Sequence, residues 1–166
     1  NILSIAQSKG VKLIDTAPAY GNVEKTLSEQ NLHKFHVVTK IPKFSKLEIT
    51  KSDILKLNST IEQSLSFLGA NQIYGILLHN GSDIMIKGGE YICDTLHSFK
   101  ERGLVKKIGV SIYDSKNLDN VCTRLKPDII QLPINVIDQR LIKDGTLEYL
   151  KKKGIEIHAR SIFLQG

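Results

Sequence analysis

The chain has only two cysteines, Cys93 and Cys122, and they stand in no CxxC spacing. Isolated thiols inside helix-like segments read as reduced and partly buried, not as a disulfide pair. No metal site is expected. No apolar run approaches the roughly eighteen residues that crossing a bilayer takes, which excludes a membrane helix. The opening stretch NILSIAQSKG lacks both the basic start and the apolar middle of a secretory signal, so the cytoplasm is the expected compartment. Aromatic residues make up only 6% of the chain, with few placed among basic ones. The net charge of +6 is spread out, and its one tight run is Lys151 to Lys153. That run falls where a helix should end, and cations there complement the negative helix terminus. A nucleic-acid partner is therefore not expected. Linkers, low-complexity stretches and short-period repeats are also lacking.

What is present fits a single domain over residues 1–166. The hydrophobic share is 41% and the charged share 24%, enough for a real core and too apolar for long disorder. Short apolar runs alternate with longer helical patterns. VKLID at 11–15, HVVTK at 36–40, IYGILLH at 73–79, KKIGVS at 106–111, DIIQL at 128–132 and IEIHAR at 155–160 read as strands. Most do not alternate, as expected of strands covered on both faces in a parallel sheet. Residues 1–9 read as a helix remnant. Ile54, Leu57, Ile61, Leu65 and Leu68 recur at helical spacing until Gly69 stops them. A second helix should end at Gly103. A third should run from a Ser115 cap to Leu125, where Lys126-Pro127 ends it. A fourth should run from about Gly145 to Lys153 and stop at Gly154.

Such a strand–helix repeat permits a barrel or a doubly wound sheet. No GxGxxG follows the first strand, and TAPAYGN is not a phosphate-cradling loop, which argues against the dinucleotide-binding sheet. The expected class is α/β, a (β/α)8 barrel of the TIM type. Six strands are legible where a closed barrel needs eight, so the barrel is expected to be incomplete, an internal piece of a longer protein.

Four ionisable residues stand at the C-terminal ends of strand-like runs or just beyond. They are Asp15 and Tyr20 in LIDTAPAYG, Lys40 in HVVTK and His79 in GILLHN. In a barrel this rim is where active residues gather. Together they suit reduction of a carbonyl group. A tyrosine can give its proton to the carbonyl oxygen if a lysine cation favours the phenolate. The lysine needs a carboxylate partner in a desolvated pocket. A histidine can hydrogen-bond and orient the oxygen. Alone, each has a plainer role: a turn cap, a solvated strand end, a core imidazole, a loop-packing ring.

The motifs LIDTAPAYGNVEKTLSE, VVTKIP, SLSFLGANQIYGILLH, GLVKKIGVSIYD, DIIQLPINVIDQR and GIEIHARSIFLQG resemble those of the aldo-keto reductase superfamily over nearly the whole chain. Carried over residue by residue, that resemblance puts the family tetrad on Asp15, Tyr20, Lys40 and His79. It implies a nicotinamide cofactor, usually NADPH with NADH open, and a small aldehyde, ketone or sugar substrate. Cofactor contacts are implied at Ser111, Gln131 and Arg160. Ile112 stands where the family has an amide-bonding Asn, and Arg160 where many members have a stacking aromatic. Arg160 could lie against the nicotinamide or bind pyrophosphate. The structural alternatives are a turn cap for Ser111, a strand-edge contact for Gln131 and a surface charge for Arg160. The match covers barrel strands two to seven, so the first and last strands and the loop after the last are absent. The isolated chain is then expected to lack half its cofactor site and to be inactive. The family also includes potassium-channel accessory subunits, which makes a cofactor-binding regulatory subunit the second reading. Oligomeric state and the particular substrate stay open.

Overall fold

Apolar runs that do not alternate must be covered on both faces, and a parallel sheet flanked by helices does this. In the computed structural model, which describes residues 2–30 and 32–164, six strands form. They are β1 (Leu13–Asp15), β2 (His36–Ile41), β3 (Ile73–Leu78), β4 (Val105–Ser111), β5 (Ile129–Pro133) and β6 (Glu156–Arg160). They pair in chain order, each parallel to its neighbour. The helices are α1 (Ile2–Ser8), α2 (Val23–Ser28), α3 (Lys51–Phe67), α4 (Gly89–Glu101), α5 (Leu118–Leu125), α6 (Arg140–Lys143) and α7 (Thr146–Lys152). The sheet curls into a half-barrel, an incomplete (β/α)8 barrel with β1 and β6 at its open edges. Among the described residues no helix is long and apolar enough to cross a membrane.

Every strand lies where the sequence puts it, within two residues at each end. The helix expected over 1–9 is α1, with Asn1 outside the described residues. Two short helices, α2 and α6, have no counterpart in the sequence reading. One correction concerns α5. Asn117 precedes it without a side-chain cap, and Ser115 instead donates its hydroxyl to Asp144 at 2.8 Å. The start of α3 is better secured: Thr50 and Asp53 form a reciprocal capping box.

The core has two parts because side chains alternate across each strand. On β3, Ile76 and Leu78 face outward into the large cluster that includes Leu57 and Ile61 of α3 and Leu96 and Phe99 of α4. Leu77 faces inward, where Val38 and Ile129 meet it. Below this apolar layer, at the strand starts, Glu156 accepts from Tyr74 at 2.9 Å, contacts His158 at 2.6 Å and pairs with Lys107. Burial alone would push the Glu156 carboxyl up, but the bonds from Lys107, His158 and Tyr74 outweigh it and hold it at about 2. A polar network thus lies at the base of the half-barrel, and the C-terminal strand ends form the opposite rim.

Closeness of approach explains Gly109 on β4. A Cβ there would lie 2.1 Å from the Ile129 carbonyl oxygen and 2.8 Å from the Leu77 side chain. Neither backbone nor packed Leu77 can yield cheaply. Gly109→Ala is expected to destabilise the protein by about 3 kcal/mol, the upper end of ordinary overpacking. The measurement is the urea midpoint at unchanged slope. A midpoint equal to the parent's would show that the strands can part.

Candidate active site

The site grows from the C-terminal ends of β1 and β2. Asp15 is the last residue of β1, and the next two, Thr16 and Ala17, are buried. Thr16 N donates to the Val38 carbonyl at 2.8 Å, extending the parallel ladder by one step. The chain then makes a single 3-10 turn, Pro18–Tyr20, and Gly21 takes φ +72° to leave it. This turn lifts Tyr20 onto the rim, where it is half exposed.

Lys40 sits one residue before the end of β2 and points inward. It is only 5% exposed, so its ammonium must be satisfied within the protein. Its Nζ donates to Asp15 Oδ2 at 2.5 Å and to the Thr16 carbonyl at 3.2 Å. The same Nζ lies 5.5 Å from the centre of the Tyr20 ring. Asp15 has a second partner, since Gln131 Nε2 donates to its Oδ1 at 2.9 Å. That contact joins residues 116 positions apart and reaches across the half-barrel from β5.

His79 follows β3 directly, and its backbone N–H donates to the Ile41 carbonyl at 3.2 Å. It therefore reaches the same rim as Lys40. Leu77, two residues earlier, faces the interior, and alternation turns His79 the same way. Among the described residues its imidazole makes no hydrogen bond to Asp15, Tyr20 or Lys40. Three of the four sequence candidates are thus brought into direct contact or close approach, and the fourth is brought to their rim.

The three expected cofactor residues end neighbouring strands. Ser111 closes β4, is buried, and is in register with Gln131 of β5. Arg160 closes β6. Its Nη2 donates to the Ile112 carbonyl at 3.2 Å, and its guanidinium lies 4.2 Å from the centre of the Tyr113 ring. Among the described residues, Gln131 Oε1 and Arg160 Nε, on strands that end at this rim, are buried without a hydrogen-bond partner, as are Thr16 Oγ1 and His158 Nδ1 elsewhere. Buried polar atoms are seldom left so, and the two at the rim mark a place where a polar ligand fits. Thr16 and the buried Glu24 of α2 both stand in the DTAPAYGNVE motif that carried the resemblance, but the sequence reading gave neither of them a role.

Comparison with known proteins gives the family and the fold. The sequence model described as "Aldo/keto reductase family" matches residues 1–166. No curated protein matches the chain. Among solved structures, one described as an aldo-keto reductase from Pseudomonas aeruginosa is similar at 23% identity and a TM-score of 0.78, covering 95% of this chain and 62% of that one. An aldo-keto reductase from Bacillus halodurans, in holo form, is 16% identical with a TM-score of 0.77, covering 97% of this chain and 56% of that one. A glycerol dehydrogenase from Gluconobacter oxydans is 23% identical with a TM-score of 0.74, covering 95% of this chain and 51% of that one. The chain thus spans between half and two thirds of the length of these structures. At such identities the structures speak for the fold, and the match along the full sequence carries the relationship: this chain belongs to the aldo/keto reductase family.

Proposed function

We propose that the chain carries the acid–base half of an NAD(P)H-dependent oxidoreductase that reduces an aldehyde, ketone or sugar carbonyl to the alcohol. The observation that carries this reading is the buried Lys40 ammonium, held by Asp15 and the Thr16 carbonyl with the Tyr20 ring beside it. A lysine that merely ended a strand would have no reason to be desolvated there.

In this reading a bound nicotinamide supplies the hydride to the carbonyl carbon. Tyr20 donates its phenolic proton to the carbonyl oxygen, completing the alcohol. Negative charge left on the phenol oxygen is stabilised by the Lys40 ammonium, which Asp15 holds in place. Half exposure of Tyr20 lets solvent return the proton. His79 hydrogen-bonds and orients the carbonyl oxygen. Gln131 Oε1 suits a carboxamide N–H and Arg160 Nε an acceptor, so the unpartnered atoms fit the polar groups of a nicotinamide cofactor. Ser111 adds a hydroxyl to the same wall. NADPH is the cofactor favoured by family membership, with NADH as the alternative, and a soluble carbonyl compound of the cytoplasm is the substrate class. The neighbouring glycerol dehydrogenase is in keeping with a small polyol–carbonyl couple.

The test is steady-state oxidation of NADPH or NADH by the intact protein against a panel of aldehydes, ketones and sugars, beside calorimetric cofactor affinity. Carbonyl-dependent oxidation is expected. Tight cofactor binding with no turnover across the panel would overturn the metabolic reading in favour of a regulatory subunit.

A further inference from the structure

Helix α2 buries a single side chain, and that side chain is a glutamate. Glu24 is 3% exposed. Its Oε1 accepts the Thr39 hydroxyl at 2.5 Å and its Oε2 accepts the Ser64 hydroxyl at 2.8 Å. Among the described residues no cation pairs with it. A carboxylate removed from water without a counter-charge is expensive, and two hydroxyl donors offset only part of that. An apolar side chain would fasten so short a helix more cheaply. The placement of the two donors supplies the reason for a polar one.

Thr39 immediately precedes Lys40 on β2, so it faces outward where Lys40 faces the site. Ser64 lies on α3, which covers the outer side of that strand. Glu24 itself follows Tyr20 by four residues. One carboxylate therefore ties the segment bearing Tyr20 to the strand bearing Lys40 and to the helix behind it. The other end of the segment is fixed by buried Thr16 and Ala17. Between these anchors no residue from Pro18 to Val23 is buried. The Tyr20 hydroxyl makes no hydrogen bond among the described residues. Beyond the approach of the Lys40 ammonium to the Tyr20 ring, its place is set by the two anchors.

We propose that Glu24 is a positioning residue, whose hydrogen bonds to Thr39 and Ser64 hold Tyr20 in register with Lys40. The proposal rests on the assignment of Tyr20 as the acid. A displacement of about 1 Å at a reacting group can cost on the order of a hundredfold in rate. In the intact protein, Glu24→Ala is expected to lower kcat about 30-fold, with KM and cofactor affinity within about twofold of the parent. Glu24→Gln keeps a polar group for both hydroxyls and should recover kcat to within about threefold of the parent. Fluorotyrosine placed at position 20 gives a readout that does not depend on turnover. Its fluorine resonance should be one sharp line in the parent and in Glu24→Gln, and broadened or displaced in Glu24→Ala. If Glu24→Ala does not fold, Thr39→Val, which removes one donor, takes its place under the same criteria. An unmoved fluorine line with parental kcat would overturn the proposal. So would a fall in kcat matched by a weakened KM, weakened cofactor affinity and a lowered urea midpoint, which is what a merely structural role predicts. Full turnover by Tyr20→Phe would instead remove Tyr20 as the acid, and the fluorine line alone would then decide the role of Glu24.

Discussion

Tyr20→Phe is expected to lower kcat for carbonyl reduction by on the order of a thousandfold while leaving cofactor affinity within about twofold. The substitution deletes one hydroxyl and keeps the ring. Tyr20 is half exposed and its hydroxyl has no hydrogen-bond partner among the described residues, so its removal orphans nothing and stability should hold. The ring can keep its place about the Lys40 ammonium, 5.5 Å away, so the cofactor wall is undisturbed. What is lost is the proton that the carbonyl oxygen must receive as hydride arrives. General acids typically contribute between about a hundredfold and ten-thousandfold, which places the expected loss mid-range. Single-turnover mixing of preformed protein–NADPH complex with substrate reads the chemical step directly. Parental rates in that experiment would show that another group supplies the proton, and His79 on the same rim would be the first to examine.

The strands were legible because their chemistry is uniform. Ile76, Leu77 and Leu78 form an unbroken apolar run, and only burial on both faces accommodates that. The rim rule then located Asp15, Lys40 and His79 from strand ends alone. Other features were hidden for stated physical reasons. The buried residue of α2 is a glutamate, and Leu27 alone packs part-buried against the core, too little for a periodicity argument to find. The four residues of α6 are too few to show a period at all. Ser115 looks like a cap because serine often is one, yet Asp144, 29 positions later, competes for its hydroxyl. The Gln131–Asp15 bond spans the half-barrel, and only closure of the sheet's curvature brings those residues together. Arg160 was expected against a cofactor ring or a pyrophosphate, while the stacking partner within the chain is Tyr113. Residue identities at strand ends could be read; pairings across the sheet could not.

Lys40 and Asp15 should part company when each is removed, because they are buried to different depths. The Lys40 side chain is 4% exposed and the Asp15 side chain 35%. In Lys40→Met the carboxylate keeps the Gln131 donor and contact with solvent, and methionine fills the vacated stem volume. Stability should change by less than about 1 kcal/mol, as for a pair with one solvated partner. Activity should nonetheless fall about a thousandfold, since charge on the phenol oxygen loses its stabilising cation. In Asp15→Ala the ammonium stays buried with, among the described residues, only the Thr16 carbonyl at 3.2 Å, and Gln131 Nε2 loses its acceptor too. An uncompensated buried charge costs about 3 kcal/mol or more, so this variant should be the less stable of the two. Its turnover should fall less than that of Lys40→Met, because the cation is still present though poorly held. Urea midpoints paired with kcat for the two variants give the comparison. A greater loss of stability in Lys40→Met, or a smaller loss of activity, would mean that the carboxylate and not the ammonium is the group the fold shelters for chemistry.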